Sequence, residues 1–174
     1  ALGLKAGIPV AEGGIDSHVG MLGLGVTAPG KLAFVAGSSN VQLVLTEGPV
    51  FVDGLWGPYQ DAVVPGFWLL EGGQASTGSI LKWLVEHFAR KEREEASSLG
   101  QDVYRYLDEK AAAIPPGSEG LVVLDYWQGN RTPLRDGKAR GAVWGLSLGH
   151  SLPHLFRAVM EGVAYGTRRI LETL

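Results

Sequence analysis

The sequence predicts an α/β or α+β layer protein, and two observations carry that prediction. Strand-like runs alternate with helix-periodic runs along the whole chain, separated by turn signals such as Gly-Gly, Pro-Gly and Pro-Pro-Gly. Glycine supplies 26 of 174 residues, about twice its usual share of roughly 7%. The glycines have no period, so they mark tight turns and close backbone approaches, not a collagen-like or linker chain.

Taken in order, residues 8–15 read as a short apolar strand ending in Gly13-Gly14. Asp16 is then a good N-cap for a helix over about 17–25. Residues 31–36 and 41–45 are β-rich and are joined by Gly37-Ser38-Ser39-Asn40, a hairpin signal. Trp56-Gly57-Pro58-Tyr59 reads as a loop, and residues 62–70 as a strand broken at Pro65-Gly66. Ser76 or Thr77 can cap a helix with Ile80, Leu81, Leu84, Val85 and Phe88 on one face. The charged stretch 90–95 reads as a solvated helix end or link. Val103, Tyr106, Leu107 and Ile114 keep helical spacing until Pro115-Pro116-Gly117 stops it. Residues 121–127 and 142–148 are strand-like, with the loop Gly129-Asn130-Arg131-Thr132-Pro133 between them. Ser151 caps a last helix whose Leu155, Phe156, Val159, Met160, Val163, Ile170 and Leu171 form an apolar face. Both ends read as cut, which predicts a piece of a longer protein.

Composition narrows the function. A net charge of −3 without a basic stripe argues against nucleic acid as main partner. No run of about 18 apolar residues points to a membrane span. The absence of cysteine removes disulfide and thiolate chemistry and is compatible with a reducing cytoplasm, the expected location. The four histidines show no zinc-ligand spacing with a third ligand.

Two segments carry chemistry. Asp16 follows a glycine pair at a helix start; it is either an N-cap or a general base able to take a proton from a hydroxyl. Gly37-Ser38-Ser39-Asn40 is either a plain turn or a phosphate turn, in which backbone N–H groups and serine hydroxyls supply donors. Glu71 ends an apolar run before Gly72-Gly73-Gln74, and is either a solvated strand end or a group placed to hold a polyol. Gly78 near a helix start could admit a nucleotide or be a helix-entry glycine. No GxxxxGK[ST] occurs, so this is not a P-loop NTPase. Gly145-Leu146-Ser147-Leu148-Gly149 matches the hydrolase elbow, but no Asp follows Ser147 and too little chain remains to complete a triad.

Together these segments resemble the FGGY carbohydrate kinase family, in its ribulokinase and pentulose-kinase branch. The motifs are Gly13-Gly14-Ile15-Asp16-Ser17-His18-Val19-Gly20, Ala36-Gly37-Ser38-Ser39, Trp56-Gly57-Pro58-Tyr59, Val64 through Gln74, Leu124 through Pro133, and Arg140 through His150. The resemblance implies an actin-like, ribonuclease H-like ATPase fold with a mixed sheet flanked by helices. Residues 1–28 would end the first domain and 29–174 would open the second. It implies Asp16 as general base and sugar contact and Glu71 as sugar contact. Gly37, Ser38, Gly78 and Lys82 would lie on the nucleotide side. Ser38 stands where the family usually has Thr, retaining the hydroxyl. ATP and Mg2+ would be the cofactors, and a homodimer is compatible. The expected activity is transfer of a phosphoryl group to a ketopentose, ribulose-like, with the 174-residue chain alone inactive. The alternative is a non-catalytic sugar- or nucleotide-binding module or regulator on the same scaffold.

Overall fold

In the computed structural model, which describes residues 3–11 and 13–174, the chain begins its regular structure with helix α1 (Asp16–Gly23) and hairpin β1 (Leu32–Ala36) and β2 (Asn40–Thr46). There follow β3 (Trp56–Gln60), β4 (Trp68–Gln74), α2 (Gly78–Phe88), α3 (Arg90–Ser98), α4 (Val103–Ala112), β5 (Val122–Leu124), β6 (Ala142–Trp144) and α5 (Leu152–Leu171). Four strands make one sheet in the order β1-β2-β4-β3, and β5 pairs with β6. The α/β architecture with flanking helices is as expected, with ladders that are antiparallel rather than mixed. Short returns between β1 and β2 and between β3 and β4 permit only that pairing.

Alternation along the strands divides the sheet into two faces. On one face Leu43, Leu45 and Leu69 are buried with Ala33 under Met21 of α1. This is the contact that seats α1 on the sheet. On the other face α5 packs against β4 and also against α2, α4 and β5. The second core joins Ile80, Leu84 and Val85 of α2, Leu107 and Ala111 of α4, Val123 of β5, and Phe156 and Val159 of α5. Those are the helical stripes that the spacing predicts, except that Phe88 and Leu171 at the helix ends are exposed. Two glycines let α5 come close. A Cβ on Gly162 would sit 2.5 Å from the Val123 carbonyl oxygen, and one on Gly166 would sit 2.6 Å from Gln74 Nε2.

Several expectations are corrected. Residues 8–11 and 13–15 form no strand and are exposed (Glu12 lies outside the described residues), because their apolar side chains meet no sheet neighbour. Ile15, not Asp16, is the N-cap of α1; Asp16 is the first helical residue, and its Oδ1 accepts from Ser17 N–H at 2.8 Å. Residues 56–59 belong to a strand, not a loop. β3 is a sheet edge, where Pro58 loses no needed donor. Residues 61–66 are a turn, closed by Gly66 N–H donating to Asp61 Oδ1 at 2.7 Å, so β4 starts only at Trp68 and runs through Glu71 to Gln74. The charged stretch is a helix of its own, α3, carrying Arg90–Glu94 and Lys91–Glu95 pairs one turn apart. β5 and β6 are three residues each, shorter than expected. Ser151 does cap α5, with its N–H donating to His154 Nδ1 at 3.2 Å, and the helix ends at Leu171.

Phe156→Ala empties a buried site at the junction of four elements and is expected to lower the stability of this chain by about 3–5 kcal/mol. Leu148→Ala, at a fully exposed position, is expected to stay within about 0.5 kcal/mol. Urea denaturation of the two variants checks both.

Candidate active site

A cavity of about 990 Å³ opens between the start of α1, the β1–β2 turn and the edge formed by β3 and β4. Asp16, Gly37, Ser38 and Glu71, four of the six expected site residues, line it together. Its walls also include His18, Arg131, Trp56 and Tyr59. Asp16 is exposed to the cavity because Met21, one and a half turns later, is fully buried against the sheet and fixes the helix above it.

Glu71 sits in the middle of β4, opposite Leu43 of β2 and Trp56 of β3. It is 7% exposed, so it is not the solvated strand end that its following glycines suggest. A buried carboxylate needs partners, and both of its oxygens have one. Oε1 is ion-paired with the Arg131 guanidinium, and Oε2 lies 2.8 Å from His18 Nε2. Gly73, two residues on and on the same face, leaves room for the arginine: a Cβ there would sit 3.3 Å from Arg131 Nη1. Thr132 holds the same loop down by accepting the Gly73 N–H on Oγ1 at 3.2 Å. Burial lowers the pKa of His18 first, the neighbouring Arg131 adds to that, and Asp16 opposes it. Burial likewise holds Arg131 below the usual guanidinium range.

The β1–β2 turn is fastened to the start of α2. Thr77 and Ser79 N–H both donate to the Ser38 carbonyl, at 2.9 and 3.3 Å, and Gly78 N–H donates to the Gly37 carbonyl at 3.1 Å. The space over Gly78 is filled by that carbonyl, 2.7 Å from where a Cβ would be. In this arrangement Gly78 admits the turn's own backbone. The N–H and hydroxyl groups of Ser38 and Ser39 make no hydrogen bond among the described residues and are the donors left for an anion. Lys82 lies outside the cavity: its side chain is two-thirds exposed and pairs with Glu86 at 3.7 Å.

Behind the cavity, a polar network ties the turn to α5. Gln74 Nε2 donates to Asp125 Oδ2 at 2.7 Å and to the Val163 carbonyl at 2.9 Å, while Gln74 Oε1 accepts from Thr167 Oγ1 at 2.6 Å. Asn40 Nδ2 reaches Gln74 Oε1 at 3.5 Å. Thr77 Oγ1 is 3.0 Å from both Asn40 Oδ1 and the Gly37 carbonyl, its one proton serving either. Burial raises the pKa of Asp125, and the bond from Gln74 opposes that.

His18 and Arg131, the two partners of Glu71, have no role in the sequence reading. His18 was visible as the residue two after Asp16, and Arg131 as the cation in an otherwise polar loop. Neither position announces a partner 53 or 60 residues away in the chain. Among the described residues no group of three or more His, Asp or Glu side chains could hold a metal ion, so no metal ligand is assigned here. Among them too, no helix is long and apolar enough to cross a membrane.

Residues 32–174 match the C-terminal domain of the FGGY family of carbohydrate kinases. The chain is 40% identical over 172 residues to a ribulokinase of Shouchella clausii, covering 98% of this chain and 31% of that protein. It is 39% identical over 197 residues to an FGGY carbohydrate kinase domain-containing protein of Xenopus laevis, covering 99% and 36%. The solved xylulose kinase of Rhodospirillum rubrum superposes with a TM-score of 0.78 at 35% identity, covering 98% of this chain and 32% of that one. The fold is thus the actin-like ATPase architecture of sugar kinases, and the chain belongs to the FGGY family of carbohydrate kinases. It spans about a third of the length of the curated relatives it matches.

Gly78→Ala places a Cβ against a backbone carbonyl that can move only with the whole turn, and a loss of about 1–3 kcal/mol is expected. Gly20→Ala, with nothing within 4 Å, is expected not to destabilise; urea unfolding of this chain distinguishes the two. The lowered His18 pKa also has a sign. The unfolded chain takes up this proton first as pH falls, so the contribution is complete above about pH 6.5 and is lost below it. His18→Gln is therefore expected to flatten the fall in stability between about pH 7 and 5, as measured by urea midpoints at each pH.

Proposed function

We propose that this chain supplies the acceptor-sugar and phosphate-turn side of an ATP-dependent kinase acting on a ketopentose, ribulose-like. The observation that carries the reading is the meeting of Asp16, Glu71 and the 37–38 turn on one cavity. The ribulokinase and xylulose kinase relatives, named for five-carbon ketoses, support the substrate class. Residues 1–28 would close a first domain and 29–174 open a second, a division supported by the family match that begins at 32. The cytoplasm, where ATP is available, is the proposed location.

When bound, MgATP supplies the γ-phosphoryl group and the charge shielding that phosphoryl transfer needs. The chain's own residues position and stabilise. Glu71, fixed by Arg131 and His18, accepts hydrogen bonds from sugar hydroxyls with its remaining lone pairs. Asp16 accepts the proton of the primary hydroxyl as that oxygen forms its bond to phosphorus and the bond to the nucleotide breaks. Ser38 donates N–H and O–H bonds to phosphate oxygens, and Gly37 holds the turn in place through its carbonyl. Lys82, on the exposed face of α2, would act only on a nucleotide lying along that helix.

Asp16→Asn in the full-length protein is expected to cut ribulose-dependent ADP formation by about 10²–10⁴-fold, with sugar affinity by calorimetry kept. A pure binding module would show no turnover to lose, and retained turnover in the variant would remove Asp16 as base. The 174-residue chain alone is expected to show no turnover, because positioning by the rest of the cleft supplies most of the rate.

A further inference from the structure

The cavity holds an imidazole whose second ring nitrogen has no part in the proposed reaction. We propose that His18 is a substrate-binding residue: Glu71 holds its imidazole by Nε2–H, so that Nδ1 offers a lone pair to a hydroxyl of an open-chain sugar. The proposal rests on the sugar-kinase reading and deepens it by naming the residue that selects hydroxyl geometry next to the reacting centre.

Three observations support it. First, His18 lines the cavity with its side chain 14% exposed, and its Nε2 is 2.8 Å from Glu71 Oε2. A carboxylate already bonded to a guanidinium only accepts, so the proton of this bond belongs to Nε2. A neutral imidazole protonated at Nε2 is an acceptor at Nδ1. Second, Nδ1 makes no hydrogen bond among the described residues. An acceptor held at a cavity wall has to be met by solvent or by a ligand. Third, burial and the Arg131 charge disfavour the protonated ring. Asp16 of α1, Glu71 of β4 and Arg131 of the 129–133 loop are the charged groups around it, with Tyr59 of β3 beyond the arginine. Burial and Arg131 outweigh the pull of Asp16.

Asp16 and His18 are two apart on one helix and do not point the same way. They therefore serve different hydroxyls: Asp16 the one that is phosphorylated, His18 a neighbour on the same carbon chain. Protonation at Nδ1 turns the acceptor into a donor and removes the match to a hydroxyl proton. A hydroxyl that donates to Nδ1 has to turn and accept instead once the ring is protonated, so the contact is weakened at low pH, below the ordinary imidazole range.

The test uses the full-length protein with ribulose and, in parallel, xylulose. In His18→Gln the amide nitrogen stands near the Nε2 position and keeps the bond to Glu71, while the Nδ1 acceptor is gone. The expected result is a ribulose KM raised about 5- to 10-fold, the worth of one hydrogen bond, with kcat changed less than about threefold. His18→Asn, whose amide oxygen can stand near the Nδ1 position, is expected to recover part of that KM. Wild-type KM is expected to rise between about pH 7 and 5, and in His18→Gln that limb should vanish. An unchanged KM in His18→Gln, or a pH limb that survives the substitution, overturns the proposal. If the Gln variant fails to fold, the 15N spectrum of histidine-labelled wild type decides: a His18 Nδ1 resonance that ribulose moves supports the contact, and one that ribulose leaves in place overturns it. Should Asp16→Asn keep its turnover, the kinase reading itself fails; should it lose turnover while His18→Gln keeps a wild-type KM, only this inference fails.

Discussion

A carboxylate in the middle of a buried strand is the constraint around which this protein is arranged. Left unpaired there, Glu71 would be costly by several kcal/mol. Arg131 and His18 meet that charge, and much else follows from bringing them in. The arginine arrives from a loop 60 residues on and needs a flat lane over β4, which Gly73 leaves open. Thr132 then pins the loop to the strand. His18 arrives from α1, which is held by Met21 under the opposite end of the same face. Because α1 has to present His18 to Glu71, it also presents Asp16 to the cavity.

The reverse face of the same strand answers a different demand. Gln74 alternates away from the cavity and is buried against α5, where an amide with four hydrogen-bonding valences must be satisfied. Asp125, Val163, Thr167 and Asn40 do this. Gly166 is what lets the amide and carboxylate lie against the helix. Through Asn40 and Thr77 the network continues into the 37–38 turn. The Glu71 wall of the cavity and the 37–38 turn are therefore both referred to β4, one through its cavity face and the other through its helix face.

Much of this was legible in the sequence where a period repeats. The stripes of α2 and α5 fall on the core because 3.6-residue spacing over several turns has few other readings. The β1–β2 hairpin was legible because Gly37-Ser38-Ser39-Asn40 interrupts two β-rich runs. β3 was not, since Trp56-Gly57-Pro58-Tyr59 is punctuated like a loop and only its place at a sheet edge makes Pro58 acceptable. Gly72 and Gly73 read as the end of a strand, but they serve as clearances, the first for Ile170 of α5 and the second for the Asn40 carbonyl and, beyond it, Arg131. A glycine that yields to a side chain far along the chain carries no local mark. Asp16, Glu71, Gly37 and Ser38 were assigned through motif resemblance, and the cavity brings those four together. The same resemblance put Lys82 on the nucleotide side, which its exposed pairing with Glu86 does not bear on.

Referring both features to one strand has a consequence for the proposed reaction. Phosphoryl transfer depends on the relative position of an alcohol and a phosphate, and a displacement of about 1 Å can cost roughly 10²-fold in rate. Two loops that met only across a cleft would drift independently. Here a shift of β4 carries Glu71 on one face and the Asn40–Thr77 anchor of the turn on the other, so their separation is conserved while the strand moves. Asp16 is the member outside this arrangement, attached through α1 and its buried Met21. The separation of Asp16 from Glu71 is therefore the coordinate that β4 does not set, and His18, on the same turn of α1 as Asp16 and bonded to Glu71, is the tie that limits it.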